Sequence, residues 1–138
     1  MKLRIYIIIF ILACVTTYSY GQVVRDKSNM TIGKIESDGV VRDRSNMIIG
    51  CFDNDGVIRD KSNMTIGKIE SDGTIRDRSN MKIGCIENNG TVRNASNMKI
   101  GSVESDGDVR DASNMLIGKA KGVRSAYVAV FFFFFNRF

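Results

Sequence analysis

Residues 25–41 read RDKSNMTIGKIESDGVV, and this unit recurs along most of the chain at a period of 17 residues. Arg, Asn, Met and an Ile-Gly pair all return at that step. Five full units cover residues 25–41, 42–58, 59–75, 76–92 and 93–109, and a partial sixth covers residues 110–119. A fixed period of this kind predicts a repeat architecture, in which each unit buries its apolar face against its neighbours.

The Ile-Glu-Ser-Asp-Gly-x-Val part of the unit predicts a β-hairpin, because turn-forming residues lie between β-branched ones. A three-residue loop, Ser37-Asp38-Gly39, pairs Ile35 with Val41 and puts two constantly apolar columns on one face. Gly39 then adopts the left-handed conformation, and a Gly on the inner face lets another backbone approach. The predicted structural glycines are Gly33, Gly50, Gly67, Gly84 and Gly101 on the inner face, and Gly39, Gly56, Gly73, Gly90 and Gly107 in the loops.

The Asp-x-Ser-Asn stretch predicts a second turn, where Asx and Ser side chains bond local backbone groups. Met30 and Ile32 fall on the outer side of their own hairpin yet hardly vary among the units. We expect both to pack against the next unit. The copies could close into a ring or stack as a linear β-solenoid, in which the Asn29 column would form a ladder.

The N-terminus has the pattern of a secretory signal peptide. Lys2 and Arg4 precede an apolar run of 11 residues, Ile5 to Val15, and Ser19-Tyr20-Gly21 offers small residues for cleavage near Gly21/Gln22. The apolar run is shorter than the roughly 20 residues of a membrane-spanning helix. We therefore expect residues 1–21 to be removed and residues 22–138 to form one exported domain, secreted or periplasmic.

A lipid anchor is the alternative for this end of the chain. Ile11-Leu12-Ala13-Cys14 has the form of a bacterial lipoprotein box, with Cys14 as the residue that would carry the lipid.

The apolar tail, residues 120–138, departs from the repeat and contains five consecutive Phe residues. Tyr127 to Phe135 is a run of nine apolar residues, too short for a spanning helix and long enough for a strand. We expect a closing strand that is buried on both faces. The alternative is an element that contacts a partner or a membrane.

The repeated I-G-x-I-x-S-D-G-x-V-x-D unit is followed by Ala120-Lys121-Gly122 and by the A-V-F-F-F run from Ala129 to Phe133. With these motifs, essentially all of the chain after the signal resembles the bacterial five-fold β-flower proteins. The resemblance implies an all-β, pseudo-five-fold ring of β-hairpins, closed by the Phe-rich C-terminal strand. The resemblance suggests no particular activity, and no catalytic or binding residue carries over from it. The linear β-solenoid remains the alternative fold.

Few residues are candidates for chemistry. An Asp column could gather carboxylates around an axis and hold a cation, although turn Asp residues commonly cap their own turns. Asp53-Asn54-Asp55-Gly56 resembles the start of a calcium loop but lacks the later Glu, which favours a plain turn. Cys51 and Cys85 lie two units apart, which argues against a disulfide. The Asp column comprises Asp26, Asp43, Asp60, Asp77 and Asp111, with Asn94 as the exception.

The chain has no histidine, the commonest general base and metal ligand. We therefore expect no enzyme, no cofactor and no metal. The formal net charge is +5, and the basic residues are dispersed near acids, which does not favour nucleic acid as a partner. The function expected is a monomeric, non-enzymatic scaffold or binding module that contacts a glycan or a cell-envelope component. The alternative is an envelope-associated lipoprotein or a membrane-contacting structural protein.

Overall fold

The computed structural model describes residues 22–135, which form twelve short strands followed by a central helix. The central helix consists of α1 (Ser125–Ala129) and of the π-helical turn Val130–Phe134 that continues it. The expected signal peptide and Cys14 lie outside the described residues. The strands are β1 (Gln22–Asp26), β2 (Thr31–Ile35), β3 (Val40–Asp43), β4 (Ile48–Phe52), β5 (Val57–Asp60), β6 (Thr65–Ile69), β7 (Thr74–Asp77), β8 (Lys82–Ile86), β9 (Thr91–Asn94), β10 (Lys99–Val103), β11 (Asp108–Asp111) and β12 (Leu116–Lys119).

The twelve strands form one closed antiparallel barrel. Each strand pairs with its neighbours in sequence, and β1 pairs with β12 through Arg25↔Lys119 and Asp26↔Gly118. The all-β prediction is confirmed, and the linear β-solenoid is not supported because the first and last strands meet. Residues 110–119 supply the second half of β11 and all of β12, so the partial unit is a full part of the wall. The barrel therefore contains six strand pairs, and the five-fold ring of hairpins is not confirmed.

The predicted hairpin register is confirmed. Ile35 pairs with Val41, and the Glu36 N–H donates to the Val40 carbonyl at 2.8 Å, which leaves a three-residue loop. Gly39 has φ of +91°, and a Cβ there would collide with the carbonyl oxygen of Phe52 on the next hairpin. The five loops of this kind lie together at one end of the barrel, which we call the hairpin end.

The second turn is also built as predicted. The Asp26 Oδ1 accepts hydrogen bonds from the backbone N–H groups of Ser28 (2.8 Å) and Met30 (3.0 Å). Asn29 has φ of 64°, a left-handed conformation that Asn tolerates better than most residues. We call the end formed by these turns the methionine rim. Its six turns are residues 26–30, 43–47, 60–64, 77–81, 94–98 and 111–115, each taken with the residue that follows.

A β-bulge next to each of these turns changes the face of the barrel wall on which the Ile of each Ile-Gly pair lies. Val24 pairs with Gly33 and Arg25 pairs with Thr31, so Ile32 is the extra residue on its strand. Ile32 is partly buried and packs against the core, whereas Met30 is exposed. The expectation that Met30 packs against the next unit is therefore wrong, and the bulge, which simple alternation leaves out, explains the contact of Ile32 with the core.

The interior of the barrel is filled by the central helix. Val128, Ala129 and Val130 are fully buried, and the Tyr127 ring stacks on Phe52 of β4 at 4.2 Å between centroids. The prediction of a closing C-terminal strand is wrong. A closed barrel has no free edge at which a further strand could pair, and a helix satisfies its backbone hydrogen bonds within its own segment.

The Phe residues at the end of the central helix lie over inward-facing glycines of alternate strands. A Cβ added at Gly67 would lie 2.9 Å from Cζ of Phe135, so the absence of a side chain there makes room for the ring. Successive Phe residues contact even-numbered strands in their order around the barrel. The pairs are Phe131–Gly33, Phe132–Gly118, Phe133–Gly101, Phe134–Gly84 and Phe135–Gly67.

Among residues 22–135, no helix is both long enough and apolar enough to cross a membrane.

Candidate functional site

The predicted glycines all have structural positions. The inner column, including Gly50, is buried, and the loop column has φ between +87° and +91°. The two columns therefore build the barrel rather than a binding site.

The Asp column caps turns and does not gather carboxylates. Each member accepts two backbone N–H bonds within its own turn, as Asp43 does from Ser45 and Met47. Asn94 accepts the same two bonds at 3.0 Å, which explains why an amide can replace the acid in that unit. The hypothesis of a cation held by this column is not supported by the geometry, since each carboxylate is directed to its own turn.

The outer wall carries a repeated ion pair. Arg42 Nε lies 2.6 Å from Glu36 Oε1, while its Nη1 donates to the Asn46 carbonyl at 3.0 Å. Each such Arg thus connects a hairpin acid to a turn at the methionine rim. Partly solvent-accessible pairs of this kind contribute little individually, about 0–1 kcal/mol. The five pairs are Arg42–Glu36, Arg59–Asp53, Arg76–Glu70, Arg93–Glu87 and Arg110–Glu104.

One acidic cluster lies at the hairpin end. Carboxylate oxygens of Glu104, Asp106 and Asp108 lie within 4.8 Å of one another. Lys119 Nζ is 3.1 Å from Asp108, and Arg110 pairs with both Glu104 and Asp108. Because Glu104 and Asp108 are already paired with cations, and Asp106 accepts the Asp108 N–H at 2.9 Å, the cluster does not indicate a metal site.

Asp53-Asn54-Asp55-Gly56 is a hairpin turn, as predicted. Asp53 is paired with Arg59 at 2.8 Å, and Gly56 has φ of +88°. The nearby Cys51 Sγ lies 3.8 Å from Asp53 Oδ1. Burial, together with the Asp53 carboxylate, raises the pKa of the Cys51 thiol.

Cys51 and Cys85 are free thiols on β4 and β8. Three strands separate β4 from β8 along the wall. At roughly 4.8 Å per strand, that distance exceeds the span of a disulfide.

Open clefts separate adjacent hairpins at the hairpin end. One cleft of about 610 Å³ lies between the turns of β8–β9 and β10–β11, and Glu87, Asn88, Glu104 and Ser125 are among its lining residues. The lining is mostly polar, without the apolar walls typical of a small-molecule site.

The methionine rim is the most distinctive surface of the barrel. Its six methionine side chains are between 60% and 65% exposed, and Ile48 and Leu116 beside them are also exposed. The residues that form this surface are Met30, Met47, Met64, Met81, Met98 and Met115.

Partly buried apolar side chains lie between the rim and the buried core. The helix approaches from the hairpin end, where Gly122 lies near Gln22, and it runs toward the rim. Exposure increases along it, since Val130 is fully buried and the following Phe residues are only partly buried. The partly buried set is Phe131 to Phe135 with Ile32, Ile49, Ile66, Ile83, Ile100 and Ile117.

Charge differs between the two ends. Six exposed basic side chains lie at the rim, on five of its six turns, and they form no ion pair among the described residues. The five hairpin turns carry nine carboxylates, five of which are paired with arginines of the wall, and the rim turns carry the five acids of the Asp column. The rim cations are Lys27, Arg44, Lys61, Arg78, Lys82 and Lys99, and the hairpin acids are Glu36, Asp38, Asp53, Asp55, Glu70, Asp72, Glu87, Glu104 and Asp106.

Sequence reasoning missed the rim because it placed the Met column in an interface between units. One signal was present: Met follows a left-handed Asn in all six units, so it belongs to a turn and not to a strand.

The fold and its surfaces define an all-β repeat protein in which the chain closes into a barrel around its own C-terminal helix. A family model described as 5-fold beta-flower protein matches residues 21–136. The chain belongs to this family. No curated protein and no solved structure matches the chain.

Proposed function

We propose that the chain is an exported, non-enzymatic binding module whose contact surface is the methionine rim. The observation that carries this proposal is the ring of six methionine side chains, each at least 60% exposed. Large apolar side chains that are exposed together at one end of a protein are candidates for an interaction surface. Met side chains are flexible and polarizable, and such residues are frequent at binding surfaces.

Packing of the fold does not explain why Met recurs at the same position in all six rim turns. The turn uses only the backbone of Met30, whose N–H donates to Asp26 and whose carbonyl accepts from it. Ile32 supplies the apolar contact with the core, so the Met30 side chain is not needed to build the unit. A residue that recurs in every unit without such a need is a candidate for binding.

The non-enzymatic part of the proposal rests on the available acids and bases. The chain has no histidine. The repeated acids are held in turns or paired with arginine, as Asp43 and Glu36 illustrate. Neither arrangement supplies a free general base beside a nucleophile.

Export rests on the sequence of residues 1–21. Gln22 pairs with Ile35 near the hairpin end, so cleavage before Gln22 would leave the rim unobstructed. Intact-mass measurement of protein recovered outside the cytoplasm should give an N-terminus at Gln22. Recovery of the protein only inside the cells, with residues 1–21 retained, would contradict export.

A lipid anchor at Cys14 is the second candidate, and it is supported by the Ile11-Leu12-Ala13-Cys14 motif. Few residues separate Cys14 from Gln22, so an anchor would hold the hairpin end toward the membrane. Incorporation of radiolabelled lipid that disappears in Cys14→Ala would support the anchor. An unlabelled protein would exclude it.

The binding proposal is tested with two matched double variants. M47E/M64E adds two negative charges at the rim, and V40E/V57E adds two on the outer wall, where Asp108 occupies the equivalent position in another unit. Purified cell-wall glycan and envelope membranes are each offered to both variants. We expect M47E/M64E to lose binding to one fraction while V40E/V57E retains it. Equal binding of the two variants, or no binding by the unaltered protein, would contradict the proposal.

A further inference from the structure

We infer that the methionine rim docks onto the surface of an anionic phospholipid bilayer. The inference rests on the proposed function, since it names the partner of the same surface. It follows from the combination of apolar and basic side chains at one end of the barrel and acidic side chains at the other.

The apolar part of the rim suits an interfacial position. Its methionines belong to six equivalent turns of one closed barrel, so they lie at a similar height along the axis. Ile48 and Leu116 extend the apolar surface, and the partly buried Phe and Ile side chains lie beneath it. Apolar side chains arranged in this way can enter the boundary between headgroups and acyl chains together.

The basic part of the rim favours a negatively charged surface. Lys61 and Lys82 are examples of rim cations that are exposed and unpaired among the described residues. The rim turns also carry five Asp carboxylates, which stay charged although, as at Asp77, their Oδ1 accepts N–H bonds from Ser79 and Met81; the six cations against five acids leave a formal charge of +1. Basic residues beside an apolar surface are the usual pattern of proteins that bind anionic lipid.

The acidic hairpin end gives the interaction a direction. Asp38, Asp55, Asp72 and Asp106 are exposed at the loop tips. A negative surface therefore repels this end and attracts the rim, which orients the barrel with its rim toward the lipid.

A second copy of the chain fits the rim less well. Two rims placed face to face would bring cations such as Lys27 and Arg44 against one another. A rim placed on a hairpin end would meet complementary charge, but the polar turns there offer no apolar counterpart. A bilayer matches both the charge and the apolar character of the rim.

The test uses the mature chain, residues 22–138, and protein-free vesicles. Vesicles of phosphatidylcholine mixed with phosphatidylglycerol are compared with vesicles of phosphatidylcholine alone, and bound protein is measured by co-sedimentation. We expect binding to the mixed vesicles that weakens as salt is added, and little binding to the neutral ones. Binding to both kinds with equal affinity, or to neither, would overturn the inference.

Matched variants locate the contact. Lys61→Gln removes a cation at the rim, and Lys68→Gln removes one on the outer wall; both side chains are exposed. Each Lys near an anionic surface contributes about fivefold to binding, so K61Q should weaken binding roughly fivefold and K68Q less than about twofold. Met64→Ser should weaken it about tenfold through lost apolar burial. Equal effects of K61Q and K68Q would overturn the inference.

Failure of the bilayer inference can be distinguished from failure of the proposed function. If envelope membranes bind through the rim but protein-free anionic vesicles do not, the partner is a protein or glycan and the bilayer inference is wrong, while the binding module stands. Analytical sedimentation of the protein without lipid tests whether a second copy of the chain binds the rim. A dimer that M64S dissociates, with no vesicle binding, would assign the rim to a second copy and overturn the inference.

Discussion

The hairpin end and the methionine rim are built from the same 17-residue unit, yet they present opposite surfaces. The hairpin end consists of polar three-residue loops that end in Gly, with carboxylates and polar clefts. The rim consists of turns whose Asp and Asn residues are used by the backbone, while Met side chains and basic residues remain exposed. Both ends contain six or fewer copies of a tight turn, so turn formation alone does not explain the difference.

The two ends differ in whether their side chains make contacts within the fold. At the hairpin end, five acids of the units are paired with arginines of the outer wall, as Glu36 is with Arg42. At the rim, the turn is complete without the Met and Lys side chains, which are therefore available to a partner. Under the proposed function, one turn of the repeat serves the fold and the other serves binding.

The largest expected effect concerns the Phe layer beneath the rim. Gly84→Val would place a branched side chain against the Phe134 ring and the Arg93 carbonyl oxygen. Overpacking a filled barrel costs up to about 3 kcal/mol, and we expect a loss of that size in the free energy of unfolding, measured with urea. Ala95→Val at the exposed rim is the control, with an expected change within about 0.5 kcal/mol. Equal stability of the two variants would show that the Phe rings do not occupy the glycine positions.

The next effect separates the left-handed residues of the two ends. Gly73 has φ of +88° and Asn80 has φ of 64°. A Cβ at Gly73 would collide with the Ile86 carbonyl oxygen, so Gly73→Asn should cost about 2 kcal/mol although Asn tolerates the conformation. Asn80→Gly at the rim should change stability by less than about 1 kcal/mol. The same urea titration compares the two variants. Equal losses of unfolding free energy would contradict the smaller room for a side chain at Gly73 than at Asn80.

A smaller effect tests the role of the Asp column at the rim. Asp77→Ala removes the acceptor of two N–H bonds and should lower the stability by about 1 kcal/mol. Asp77→Asn should be nearly neutral, because Asn94 performs the same task in the fifth unit. Thermal unfolding with and without added Ca²⁺ provides the measurement. A stabilisation by Ca²⁺ that both variants abolish would instead indicate a cation site.

The smallest effect concerns the Cys51 thiol on the wall near the hairpin end. Asp53 helps to raise its pKa, so Asp53→Asn should lower that pKa and increase the thiolate fraction. Alkylation of Cys51 at pH 8 should then become severalfold faster. Asp55→Asn, in the same turn, is the control and should leave the rate nearly unchanged. Identical rates in the two variants would show that the Asp53 carboxylate does not act on the thiol.

Local chemistry made much of the barrel predictable. The Ser37-Asp38-Gly39 loop and the pairing of Ile35 with Val41 follow from turn preference and from the columns of apolar residues. The capping role of Asp26 follows in the same way. These features depend on residues only a few positions apart.

The remaining features depend on distant contacts or on a local irregularity. Closure requires β1 to meet β12, which the repeat by itself does not specify. The run from Tyr127 to Phe135 is equally apolar on every face, so its pattern could not distinguish a strand from a helix. The bulge beside Ile32 reversed the face expected for that residue and concealed the exposure of Met30.

Methionine oxidation is the most direct test of the rim as a contact surface. Protein comprising residues 22–138 is treated with dilute hydrogen peroxide, alone and with anionic vesicles, and sulfoxide at each Met is quantified by mass spectrometry. The account predicts that all six rim methionines oxidise rapidly and at similar rates in the free protein, and that vesicles protect all six together. Slow oxidation in the free protein, or rates that vesicles leave unchanged, would contradict it.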